Sequence, residues 1–215
     1  MITISGIKYQ NELEKLPYFN KKTASVLIGK KNWNLDKKIT QLKNKGYLAN
    51  LKKGLYVTGV YLDSRANKSI YCQYIANILR YPSYLSTEYI LSENNLIPEA
   101  VYAWTSVTGK SSRKYENSLG IFIYKNIKEN LFTGFKKEKI GEFKIATASL
   151  AKALFDYLYL KRNLGADLEF ELKEGLRINW LNFSGSDLRE LEKYVDLSQS
   201  GKMGKILRII KNIKK

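Results

Sequence analysis

Residues 34–57, NLDKKITQLKNKGYLANLKKGLYV, decide how the chain is read. Leu35, Ile39 and Leu42 recur at i, i+4 and i+7, the spacing that lines one face of a helix with apolar side chains. Asn34 precedes the run as an N-cap, and Gly46 follows it where a helix ends in a left-handed residue. Tyr47-Leu48 and Leu51–Val57 are then two short apolar runs separated by Ala49-Asn50, with Lys52-Lys53-Gly54 close by, which reads as a β-hairpin with a basic tip.

Upstream, Ile7, Leu13 and Leu16 are interleaved with charges between Gly6 and Leu16, and Pro17 closes a short amphipathic helix. Asn20 caps a second helix that places Ala24, Leu27 and Ile28 on one face before Gly29 stops it. Three short helices followed by a hairpin are the order of a winged helix-turn-helix, assigned here to residues 1–60. In that arrangement the third helix enters the major groove and the hairpin lies along the DNA backbone.

Burial of Leu35, Ile39 and Leu42 turns Lys37, Lys38, Gln41 and Asn44 outward. Gln and Asn pair a donor with an acceptor in the way adenine edges require, and Lys serves phosphate or guanine. Lys30, Lys31, Lys52 and Lys53 fall where they would hold phosphates, which positions a protein on DNA without reading sequence.

The charge distribution points the same way. The 215 residues carry 37 Lys+Arg against 20 Asp+Glu, a formal net charge of +17. Residues 1–60 hold 12 basic and 3 acidic groups, residues 201–215 hold 6 basic groups and no acid, and the long middle is close to balance. Charge concentrated at two ends reads as a polyanion clamp, with Lys202, Lys205, Arg208 and Lys211 of a basic C-terminal helix as its second part. The preponderance of Lys over Arg, 30 to 7, also fits a base-composition bias, and a basic amphipathic helix taken alone is commonly just a solvated face.

The remainder, residues 61–215, reads as a larger mixed domain, making the whole chain α+β. Helices are predicted over Lys68–Leu79, from Ser86 to before Pro98, from a Thr147 cap through Leu160, over Asp187–Tyr194 and over Lys202–Ile213. Val101–Thr108, Ser112–Glu116, Leu119–Ile127 and Phe143–Ala146, rich in β-branched and aromatic residues, are predicted to form an antiparallel sheet.

No enzyme is expected. With no His, neither Ser-His-Asp nor Cys-His nucleophiles nor the usual His-based zinc sites can be built, and one Cys excludes an internal disulfide and a Cys cluster. Asp156, Glu169, Glu171 and Glu174 show no convincing catalytic spacing. Gly201-Lys202-Met203-Gly204-Lys205 lacks the spacing of a phosphate loop. No cofactor or metal is implied. Met1–Lys15 shows no apolar run with a cleavage site, and no stretch of about 18 apolar residues occurs, so a cytoplasmic protein with no membrane partner is expected.

A series of segments resembles the AbiE-type antitoxins (AbiEi family) of type IV toxin–antitoxin systems. It runs through Gly46-Tyr47-Leu48 and Lys53-Gly54-Leu55-Tyr56, then Ala76–Ser86 with Tyr81-Pro82-Ser83-Tyr84, and Asn95–Glu99. It continues through Thr105-Ser106-Val107-Thr108, Gly120 before an aromatic strand, Leu131-Phe132-Thr133-Gly134, and Ala146-Thr147 leading to Lys152-Ala153-Leu154-Phe155-Asp156. The likeness covers most of the chain in the expected order, with Leu150-Ala151 where the family often has Pro-Glu. The resemblance implies an autoregulatory transcriptional repressor that binds inverted repeats of double-stranded DNA in its own promoter. It also implies an antitoxin, active in abortive infection and phage defence, that counteracts a nucleotidyltransferase-like toxin without needing direct contact. It further implies that the basic C-terminal surface contributes to DNA binding. Two other readings of the residues stay open: recognition of tRNA or another structured RNA through the basic ends and the sixteen tyrosines, and a metal-dependent nuclease fused to a DNA-binding domain.

Overall fold

The structure, a computed structural model, describes residues 6–165 and 167–214. It is α+β and separates into two compact units. The first contains the described residues up to Tyr71 together with Glu116–Leu119; the second contains Cys72–Tyr115 and the described chain from Gly120 onward.

In the first unit α1 (Gln10–Glu14), β1 (Phe19–Asn20), α2 (Lys21–Ile28), α3 (Asn32–Asn44), β2 (Leu48–Lys52) and β3 (Leu55–Thr58) follow one another. The strands form an antiparallel sheet in the order β1-β3-β2. Leu35, Ile39 and Leu42 of α3 meet Leu13, Ala24, Ile28, Phe19 and Tyr47 in one apolar core, each buried aliphatic side chain contributing about 1.5–3 kcal/mol. Asn20 caps α2 as its sequence requires, accepting from the Thr23 N–H at 3.0 Å, and Gly29 ends the helix at φ +76°.

Three boundaries differ from expectation. α1 is shorter, starting at Gln10, because Tyr9 at φ −129° and ψ 68° lies outside helical space. α3 begins at Asn32 rather than after Asn34: Asn32 adopts φ +49°, which Asn tolerates, and the Leu35 N–H closes the first turn on the Lys31 carbonyl at 3.2 Å. The hairpin turns at Lys53-Gly54, with Gly54 at φ +76°, so Lys52 ends a strand and Lys53 alone of the pair occupies the tip. After β3 come α4 (Gly59–Asp63) and α5 (Lys68–Leu79), the second with the predicted bounds.

The second unit contains β4 (Tyr84–Leu85), α6 (Glu88–Glu93), β5 (Ala103–Thr108), β6 (Arg113–Asn117, whose last two residues are assigned to the first unit), β7 (Gly120–Asn126), β8 (Phe135–Ile140) and β9 (Phe143–Ala148). Helices α7 (Leu150–Leu160), α8 (Leu168–Phe170), α9 (Gly185–Ser198) and α10 (Gly201–Ile213) follow. The sheet order is β6-β7-β5-β4-β9-β8.

The antiparallel sheet expected from the sequence is corrected to a mixed one. β5 runs parallel to β7 and β4 parallel to β9, while β4–β5 and β8–β9 are antiparallel. The cause is burial. β7 carries Phe122 and Tyr124, so it takes the inner place beside β5 and leaves the edge to β6, whose Arg113, Lys114 and Glu116 are exposed. Two chain reversals then make β5 and β7 parallel. β8, Phe-Lys-Lys-Glu-Lys-Ile, escaped the sequence reading because it is a charged edge strand, a device that discourages further strand pairing.

Helix starts shift for related reasons. Thr147 is held in the sheet opposite Lys136 and Leu85, so Ser149 caps α7 instead, accepting from the Lys152 N–H at 3.1 Å. Ser86 spends its hydroxyl on Asp156, and α6 starts at Glu88. α9 is longer than expected, opened by a reciprocal Ser184–Asp187 capping box. Among the described residues no helix is long and apolar enough to cross a membrane.

Candidate nucleic-acid interface

With its apolar stripe buried, α3 presents the opposite face to solvent. Asn34, Lys37, Lys38 and Gln41 on that face, with Lys30 from the α2–α3 loop, line a depression of about 410 Å³. Three ammonium groups and two side-chain amides share this wall, and among the described residues no carboxylate lines it. The loop is fixed by the Ser25 hydroxyl, which donates to the Lys30 carbonyl at 2.7 Å. Asp36, the one acid of α3, points elsewhere and pairs with Lys21. That pairing holds the Lys21 ammonium above its ordinary pKa.

Trp33 is the residue the sequence reading missed. It is 69% exposed at the start of α3, and the Lys37 ammonium lies 5.0 Å from its ring centroid. Its signal was available: an aromatic side chain at i−4 to a Lys on the polar face of a helix. Such a ring offers a flat apolar surface for a thymine methyl or an unstacked base.

The other residues singled out from the sequence are spread more widely. Lys31 borders a second depression with Lys21, Lys22 and Asn32. Asn44 is exposed at the end of α3, Lys52 is half-buried in β2, and Lys53 is exposed at the hairpin turn.

In the second unit, Lys205 and Arg208 are exposed along α10. Lys211 is ion-paired with Glu192 at 3.1 Å. Lys202 is occupied internally: its ammonium donates to the carbonyls of Leu158 at 2.7 Å and Lys161 at 2.6 Å, covering the open carbonyl end of α7. Burial there lowers its pKa.

A second charged cluster lies inside the second unit. The side chains of Lys152 and Asp156, one helical turn apart on α7, are both 0% exposed and ion-paired. Asp156 also accepts from the Tyr84 hydroxyl at 2.9 Å and the Ser86 hydroxyl at 2.8 Å. Burial pushes the Asp156 carboxyl up and the Lys152 ammonium down from their ordinary values, against their mutual attraction. Gly134, at φ +74°, sits so close that an added Cβ would strike the Tyr194 ring and the Lys152 stem. Thr105 joins the same region, its hydroxyl donating to the Ser86 carbonyl at 2.7 Å. The segments around Tyr84, Thr105, Gly134 and Lys152 thus converge on one buried polar network. Among the described residues no group of three or more His, Cys, Asp or Glu is placed to hold a metal ion.

No protein-family model matches the chain, and no curated protein matches it.

Proposed function

We propose that the chain is a sequence-specific DNA-binding repressor whose first unit is a winged helix-turn-helix. The order α1-β1-α2-α3-β2-β3 with a β1-β3-β2 sheet supports this reading, since it matches the element order of that motif. α3 serves as the recognition helix and the β2–β3 hairpin as the wing. The observation that carries the proposal is the carboxylate-free wall of α3, where Lys30, Lys37 and Lys38 surround Asn34 and Gln41. Lysines supply the sequence-independent attraction for phosphate, and the amides and Trp33 supply groups that discriminate bases.

The wider role is that of an autoregulatory antitoxin of AbiE type, opposing a nucleotidyltransferase-like toxin. It rests on the ordered sequence likeness described above. The proposed DNA-contacting set is Lys30, Lys31, Lys37, Lys38, Gln41, Asn44, Lys52 and Lys53, with Lys205 and Arg208 as exposed basic groups of the second unit. Lys202 and Lys211 leave the set, the first because its ammonium is committed to α7 and the second because it is paired with Glu192.

A gel-shift titration of the full chain against its own upstream DNA and a scrambled duplex tests the repressor claim. Tighter binding to the upstream DNA is expected; equal affinity for both overturns it. Co-expression with the neighbouring reading frame tests the antitoxin claim separately, by relief of growth arrest.

A further inference from the structure

A cavity of about 310 Å³ opens in the second unit between the end of α5 and the β8–β9 edge of the sheet. Its volume is at the small end for ligand sites, about 300–1,000 Å³. Beside Asn77 and the aliphatic Ile78, Pro82 and Ala146, its lining holds three kinds of group. Tyr81, Phe132 and Phe135 supply aromatic surface, Lys137 and Lys144 supply positive charge, and Ser83 supplies a hydroxyl.

The aromatic part is rigid. Phe135 stacks on Tyr84 at a centroid distance of 4.6 Å and an interplanar angle of 12°, and Phe132 packs against both rings at 5.2 Å. Tyr84 is in turn anchored by its hydrogen bond to buried Asp156. The polar network of the core therefore fixes one wall of the cavity before anything enters it, which lowers the ordering cost of binding.

The lysines share one sheet face. Lys137 lies opposite Ala146 and Lys139 opposite Lys144, so Lys137 and Lys144 are diagonal neighbours across β8 and β9. Both are exposed. Ser83 is 5% exposed, and its Oγ is buried without a hydrogen-bond partner among the described residues. A buried hydroxyl left unpaired is costly, and because Ser83 belongs to the lining, a small opening of that wall on binding would let it meet a ligand oxygen.

From this combination of flat aromatic walls, paired ammonium groups and an orphaned hydroxyl, we infer that the cavity binds a small planar aromatic molecule carrying one phosphate or carboxylate. A nucleoside monophosphate is one natural example. The ring lies against Phe132 and Phe135, and the anion meets Lys137 and Lys144. This site is separate from the α3 surface and does not depend on it.

Isothermal titration of the full chain with phenyl phosphate, AMP, adenosine and inorganic phosphate tests the inference. Phenyl phosphate and AMP should each bind about tenfold or more tightly than adenosine or phosphate alone, because each loses one half of the recognition. Lys137→Glu with Lys144→Glu should abolish this preference. Ser83→Ala should weaken phenyl phosphate several-fold while the thermal midpoint of the free protein stays level or rises. Three results overturn the inference: no binding of phenyl phosphate, inorganic phosphate binding as tightly as phenyl phosphate, or binding undiminished in the charge-reversed protein, which would place the anion on other lysines.

Discussion

In the first unit Lys30 and Lys37 stand exposed around an open depression, whereas in the second Lys152, Lys202 and Lys214 turn their ammonium groups inward. One residue type does two jobs, and solvation separates them. An ammonium left in water keeps its long-range field for a polyanion, while one taken from water must be paired with a carboxylate or with carbonyls. The net charge of +17 is therefore not a measure of binding surface. Part of it is taken up inside the second unit, and the part proposed to attract DNA lies where α3 keeps carboxylates away.

This contrast can be broken most forcefully at Asp156. Asp156→Ala leaves the Lys152 ammonium buried without its counter-charge and the Tyr84 and Ser86 hydroxyls without an acceptor, so chemical denaturation should show a loss of about 3–5 kcal/mol. Adding Lys152→Met should cost less than the sum of the two single changes, since the stranded charge is gone.

The next effect belongs to the exposed side of the comparison. Gln41→Ala should weaken operator binding by about 1–3 kcal/mol and leave scrambled DNA nearly untouched, as read by fluorescence anisotropy. Lys202→Met should do the reverse. It removes three hydrogen bonds from the end of α7, at 2.7, 2.6 and 3.4 Å, costing about 1–2 kcal/mol of stability with operator affinity unchanged.

The smallest effect is at Glu88. Burial alone would raise its pKa, but the Lys125 ammonium at 2.7 Å outweighs that and holds the carboxyl below its ordinary value. The folded group then titrates below the unfolded one, so the pair stabilises the protein above about pH 4.3 and the gain is lost as pH falls through the folded value. Unfolding of Glu88→Gln across the acid range should lack this dependence, a difference of about 1 kcal/mol or less.

What could be read from sequence divides along the same line. The α3 face was legible because Leu35, Ile39 and Leu42 set a period that forces Lys37, Lys38 and Gln41 outward. α5 was legible to the residue. Trp33 was overlooked because an apolar ring on a polar face contradicts the pattern used to find the face. The mixed sheet could not be seen, because the neighbour of β5 is decided by which later strand can be buried, and β7 wins over β6 only through its Phe122 and Tyr124. β8 carries no apolar alternation at all. The burial of Asp156 and Lys202 could not be seen, since the Tyr84 and Ser86 hydroxyls and the Leu158 carbonyl that meet them lie up to 72 residues away, although Lys152 is only one helical turn from Asp156.

The central claim is that the lysines around α3 neutralise DNA phosphates. Measuring operator affinity against salt concentration tests it most directly, for the natural protein and for the combined Lys30→Ala, Lys37→Ala, Lys38→Ala variant. Each lost phosphate contact should make the log–log slope shallower by about 0.9, so the variant should lose about 2 to 3 units of slope together with most of its affinity. A variant that retains the natural slope would contradict the account, because the phosphates would then be held by some other part of the protein.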